Sequence, residues 1–230
     1  MEKVGKIGAV IVAAGSGLRF GEKKQFKLLG EKPLYLYSLQ QFIGCSLIDD
    51  IVLVVPTELQ DTISTEVSML KHKIKVVIGG KLRQDSVSVG IDRLSPECKI
   101  VCVHDAARPF ISHDLIRKVI DSCNTNDGAV AAMPAHDTVK EINTNNNRIN
   151  RTIPRENIWL AQTPQAFSLS QLKKALLYAK QNKIAVTDEA ALMEKLNYNI
   201  VVVEGNSDNF KITTQGDWKL AELMLEKKYD

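Results

Sequence analysis

A chain of 230 residues with 44% hydrophobic and 25% charged side chains can bury a sizeable core, which excludes disordered, fibrous and disulfide-stapled classes. Its formal net charge of +3 is too small to favour nucleic acid or an anionic membrane as partner, so any phosphate recognition must be local. Cys45, Cys98, Cys102 and Cys123 form no Cys-x-x-Cys pair, which fits reduced thiols and a cytoplasmic location better than disulfides or a zinc site.

The apolar run IGAVIVA over 7–13 is too short to span a bilayer. Arg19, Lys23, Lys24 and Lys27 follow it, so it reads as a buried first strand and not as a signal-peptide core. Further along, the pattern predicts a helix over 34–42, a strand over 50–55, a helix over 58–70, a strand over 74–78 and a helix over 84–94. A strand over 99–103, a helix over 112–124 and a strand over 128–133 come next. Helices over 170–181 and 188–196, a strand over 199–203 and a helix over 215–227 complete the set. Runs such as IVLVV and IVVV are continuously apolar, as in strands covered on both faces. The β-α-β rhythm therefore predicts an α/β protein: a single domain over 1–230 with a Rossmann-like, doubly wound, mostly parallel sheet.

One segment breaks the rhythm. Residues 135–155, AHDTVKEINTNNNRINRTIPR, are two polar runs around Asn145, Asn146 and Asn147, a hairpin signature in which asparagine supplies the positive φ of a tight turn. So polar a hairpin buries little of its own surface. It is either a surface loop or a protruding arm that packs against a second copy in a homodimer.

The first strand leads into AAGSGLRFGEKKQF. Gly15, Gly17 and Gly21 let backbone N–H groups approach an anion, and the small Ala13 and Ala14 leave room for a flat base. Arg19, Lys23 and Lys24 bring side-chain cations to the same turn, which a purely structural turn does not require. The glycine spacing matches neither the Walker A pattern nor the dinucleotide fingerprint, which argues against an NAD-linked oxidoreductase. Asp105 ends a predicted parallel strand, where ligands of open α/β sheets bind, and faces phosphate best through Mg²⁺. Its other role is to cap the next turn and pair with Arg108. Neighbouring His104 reads as a packing or hydrogen-bonding residue, since it lacks metal-ligand partners at useful spacing.

Six further motifs complete the pattern: GGKLRQDSV (79–87), VHDAARPF (103–110), HDTVK (136–140), RTIPRENIWLAQTPQAF (151–167), VTDEAALME (186–194) and NFKITT (209–214). In this order, together with AAGSGLRF and KKQF, they closely resemble the 2-C-methyl-D-erythritol 4-phosphate cytidylyltransferases of the non-mevalonate isoprenoid pathway. The similarity spans nearly the whole chain. Ribitol 5-phosphate cytidylyltransferases share several motifs and remain the alternative, as does a nucleotide-binding module without catalysis.

The resemblance implies transfer of CMP from CTP to a sugar-alcohol phosphate, with a divalent metal, Mg²⁺, at Asp105. It implies Arg19, Lys24 and Lys211 as the catalytic cations, Lys211 being otherwise a solvated strand-end lysine. It assigns the nucleotide to Ala13, Ala14, Gly15, Gly17, Gly79, Gly80, Arg83, Ser86, Asp105 and Ala106. Ser86 offers its hydroxyl to base or ribose, or to the start of the following helix. The acceptor falls to Thr138, Arg155, Thr163 and Thr187, with Arg155 reaching across a dimer.

Overall fold

A computed structural model describes residues 5–15, 17, 20–70 and 72–229. The chain begins with β1 (Lys6–Val12), a short pair β2 (Leu28–Leu29) and β3 (Lys32–Pro33), α1 (Leu34–Gly44), β4 (Asp50–Val55), α2 (Gln60–Ser68) and β5 (Ile74–Ile78). It continues through α3 (Arg83–Asp92), β6 (Cys98–Asp105), α4 (His113–Cys123), β7 (Gly128–Pro134), β8 (Val139–Asn143), β9 (Arg148–Ile153) and β10 (Trp159–Ser168). It ends with α5 (Leu169–Gln181), α6 (Glu189–Glu194), β11 (Ile200–Glu204) and α7 (Gln215–Tyr229).

Seven strands form one sheet in the order β11-β7-β10-β6-β1-β4-β5. Only β10 runs antiparallel to its neighbours, and the other pairings are parallel. Successive residues of β1 point to opposite faces. Ile7, Ala9 and Ile11 pack under α1, α2 and α4, while Val10 joins Val52, Val54, Val101 and Val103 under α3 and α5. Each such aliphatic side chain, fully buried, contributes on the order of 2 kcal/mol, which is why the unbroken apolar runs become the central strands. Gly90 allows α3 to lie against β1, since a Cβ there would sit 2.5 Å from Val10 Cγ1. A third cluster, with Phe20, Leu29, Phe110, Ile212, Trp218 and Leu225, ties α7 and the β2–β3 pair over one end of the sheet.

The polar hairpin forms as β8 and β9, with Val139 opposite Ile153 and Glu141 opposite Arg151. Asn147 takes a φ of 56° in its turn.

Three features depart from the sequence expectation. Residues 159–168, given no element, form β10 between β6 and β7. Its pattern is masked by Gln162, Thr163, Pro164 and Gln165, and its register against β7 shifts between Ala161 and Gln165, an irregularity that accommodates a proline lacking an N–H. The β2–β3 pair is too short for a periodic signal. The helix expected over 58–70 opens as a 3₁₀ turn at Thr57–Leu59 before α2 begins.

Candidate active site

Strand order reverses between β1 and β6, which makes their carboxyl ends the topological switch point of the sheet. Val12 and Asp105 are register partners there. Two backbone bonds lock the chain as it leaves the strands: Ala106 N–H to the Val12 carbonyl at 3.1 Å and Ala13 N–H to the Val54 carbonyl at 2.8 Å. The glycine turn and the Asp105 carboxylate are thereby held side by side.

A cleft of about 450 Å³ opens over this junction. Of the residues singled out from sequence, it is lined by Ala14, Gly15, Gly17, Lys24, Gly80, Arg83, Ser86, Asp105 and Lys211. Lys24, Lys81, Arg83 and Lys211 put four cations on its walls against the single carboxylate of Asp105. A chain of small net charge thus concentrates positive potential in one low-dielectric groove. Gly17 has a φ of +70°, and a Cβ there would lie 1.9 Å from the Glu22 carbonyl oxygen, so only glycine fits the turn. Gly79 packs behind the lining: a Cβ on it would fall 2.4 Å from Ala14 Cβ. Ala13 and Ala106 are fully buried beneath the cleft.

The charges are wired together. Asp105 Oδ2 accepts from Lys211 Nζ at 2.7 Å, and Oδ1 accepts from Arg83 Nε at 3.2 Å. Arg83 also forms an ion pair with Glu189. Burial alone would raise the Asp105 carboxyl, but Arg83, then Lys211 and Arg108, hold it well below the usual carboxylate range. Arg108 sends its guanidinium to the Asn209 carbonyl at 2.8 Å instead of to Asp105. Ser86 Oγ accepts from Gly80 N–H at 3.1 Å, so its hydroxyl fastens the GG turn to the start of α3.

The acceptor-side candidates fall elsewhere. Thr163 is buried, and its hydroxyl accepts from Asp105 N–H at 3.0 Å and meets His104 Nδ1 at 3.1 Å, so it supports Asp105 from below. Thr138, Arg155 and Thr187 are exposed and line no part of this cleft. Arg155 donates to the His136 carbonyl at the base of the hairpin. Arg19 lies outside the described residues.

The family model IspD: 2-C-methyl-D-erythritol 4-phosphate cytidylyltransferase matches residues 7–227. The chain belongs to that family. A curated 2-C-methyl-D-erythritol 4-phosphate cytidylyltransferase from Syntrophus aciditrophicus is 38% identical over 229 residues, covering 97% of each chain. One from Halalkalibacterium halodurans is 38% identical over 224 residues, covering 95% of this chain and 96% of its own. The crystal structure of 4-diphosphocytidyl-2C-methyl-D-erythritol synthase from Anaerococcus prevotii superposes with a TM-score of 0.86 at 31% identity, covering 96% of this chain and 98% of that one.

Three residues of this cytidylyltransferase site escaped the sequence reading. Gln25, nearly buried, donates from Nε2 to the Gly15 carbonyl at 3.2 Å and braces the glycine turn. Its place beside Lys24 in KKQF was the available signal. Lys81 adds a cation to the wall, and it too sat in plain view within GGKLRQDSV. Glu189 grips Arg83 from behind, from a motif in which only Thr187 had drawn notice.

Proposed function

We propose that this chain transfers CMP from CTP to 2-C-methyl-D-erythritol 4-phosphate, forming 4-diphosphocytidyl-2-C-methyl-D-erythritol and pyrophosphate in isoprenoid precursor biosynthesis. The observation that carries the reading is the convergence of Lys24, Lys81, Arg83 and Lys211 over the glycine turn in a chain of this family.

In the reaction an oxygen of the acceptor phosphate bonds to the α-phosphorus of CTP, and the bond from that phosphorus to the pyrophosphate oxygen breaks. The acceptor phosphate is already ionised near neutral pH, so no general base is needed. What the site supplies is alignment and charge. Backbone N–H groups at Gly15 and Gly17 seat the triphosphate. Lys24, Arg19 and Lys211 offset the charge that crowds together as the two phosphates meet, which raises the rate only because that crowding is greatest in the transition state. The pyrimidine falls to the wall lined by Ala14, Gly80, Arg83 and Ser86, with Gly79 packed close behind Ala14.

Asp105 would hold Mg²⁺. No cluster of three or more His, Cys, Asp or Glu side chains that could hold a metal occurs among the described residues. A single carboxylate beside a triphosphate seat nevertheless matches the preference of Mg²⁺ for one or two carboxylates plus phosphate oxygens and water. An ion held by Asp105 would supply charge neutralisation at the phosphate oxygens.

The acceptor is held by Thr138, Arg155 and Thr187, with Arg155 and its hairpin serving a second copy of the chain, whereas the buried Thr163 braces Asp105 and does not reach the acceptor. Support comes from the exposed Ile142 and Ile149 on the hairpin and the exposed Trp159 and Leu160 beside it, an apolar set that a homodimer would cover. Free, buried cysteines at 45, 98, 102 and 123 favour a cytoplasmic setting. Among the described residues no helix is long and apolar enough to cross a membrane.

The test is purified protein with CTP and Mg²⁺, incubated separately with 2-C-methyl-D-erythritol 4-phosphate and with ribitol 5-phosphate, the nucleotide product being read by mass. Pyrophosphate release is expected with the first acceptor. Faster turnover of ribitol 5-phosphate would overturn the acceptor assignment, and CTP binding without turnover of either would leave only a nucleotide-binding module.

A further inference from the structure

We infer that Glu189 is a positioning residue that fixes the Arg83 guanidinium against the nucleotide side of the cleft. The inference rests on the reading of that cleft as a CTP site.

Glu189 opens α6 and is only 1% exposed. Among the described residues its side chain has one hydrogen-bonded partner, Arg83, and its other carboxylate oxygen is buried with none. Withdrawing a carboxylate from water for one partner is costly, so stability alone is a poor explanation for its presence. Arg83 meanwhile lines the cleft and touches Asp105 through Nε. The guanidinium is therefore held between two carboxylates from distant parts of the chain, Asp105 and Glu189. With Glu189 neutral, only Asp105 would attract Arg83, which would turn towards that carboxylate and away from the nucleotide.

The segment bearing Glu189 is anchored well enough for this task. Asp188 caps α6 by accepting from Ala191 N–H at 3.0 Å, and it also accepts from Gln165 Nε2 on β10 at 2.8 Å. Gln84, next to Arg83, clasps the chain ahead of α6 with both ends of its amide. It donates to the Ile184 carbonyl at 2.9 Å and accepts from Val186 N–H at 3.1 Å. The helix holding Arg83 and the turn holding Glu189 are thus fastened to each other, which fixes the guanidinium to the precision that ligand binding demands.

The experiment measures CTP affinity by calorimetry for the wild type, Glu189→Gln, Arg83→Ala and the double variant, with acceptor KM determined at saturating CTP. Glu189→Gln is expected to weaken CTP binding about tenfold, a size common for coupled charged neighbours. The acceptor KM should hold, and Glu189→Gln should add nothing in the Arg83→Ala background. Unchanged CTP affinity in Glu189→Gln, or an equal further loss on top of Arg83→Ala, would overturn the inference. If Glu189→Gln does not fold, Glu189→Asp, whose shorter side chain draws the carboxylate back from Arg83, takes its place with the same expected loss. Wild-type protein that binds no CTP would sink the nucleotide reading and this inference together.

Discussion

Lys211 Nζ lies 2.7 Å from Asp105 Oδ2, joining the turn after β11 to the end of β6 across the mouth of the cleft. The Lys211 side chain is a third exposed and lines the cleft, so it can meet phosphate as well as its carboxylate partner. Lys211→Ala is expected to lower turnover by roughly two to three orders of magnitude, the usual loss when one preorganised electrostatic donor is removed. Asp105 keeps Arg83 as a partner in that variant, so its melting temperature should stay close to that of the wild type. A pyrophosphate-release assay showing turnover within twofold of wild type would remove Lys211 from the mechanism.

The sheet was legible because parallel strands buried on both faces leave unbroken apolar runs, and IVLVV over 51–55 lies wholly inside β4. β10 was hidden by its own chemistry: Thr163 and Gln165 are polar yet buried, their side chains bonding inward, so hydrophobic periodicity had nothing to register. The cleft was partly legible, since glycines and cations cluster locally in 13–26 and 79–87. The pairing of Glu189 with Arg83 was not, because a contact between residues 106 positions apart leaves no periodic trace in one sequence. Lys24 shows a further limit of composition. It is nearly buried, with its Nζ 5.6 Å from the centre of the Phe20 ring, although lysine is ordinarily an exposed residue.

The hairpin yields a prediction about assembly and acceptor binding together. Ile142 and Ile149 face each other in register and are 46% and 61% exposed, whereas Arg151 is already engaged by Glu141 at 2.9 Å. Replacing both isoleucines with aspartate should convert the proposed dimer to monomer in analytical ultracentrifugation and raise the acceptor KM. Arg155→Ala should leave the dimer intact and raise the acceptor KM by at least tenfold more than the CTP KM, as loss of a charge-assisted phosphate contact implies. Equal effects on both substrates would argue that Arg155 serves the fold of the hairpin alone.

His104 gives a pH dependence whose sign follows from its surroundings. The imidazole is fully buried, with Nε2 at 3.2 Å from the Arg108 carbonyl and Nδ1 at 3.1 Å from Thr163 Oγ1. Burial pulls its pKa from 6.5 to about 4; the Asp105 carboxylate and the hydrogen bond to the Arg108 carbonyl oppose the shift, while the Arg108 and Arg83 charges add to it. The folded state therefore demands the neutral ring, and the unfolded chain takes up the proton first as pH falls. This group's contribution is complete above pH 6.5 and is lost as pH drops towards 4. Between pH 7.5 and 5 the loss from His104 should reach about 2 kcal/mol in denaturant unfolding, and His104→Gln should flatten that part of the slope. In the wild type the His104 ring-proton resonance should keep its neutral position at pH 5.5. A midpoint near the ordinary histidine value would mean that water or a counter-charge reaches the ring, and the hydrogen-bonded path from His104 through Thr163 to the Asp105 backbone would then have to be redrawn.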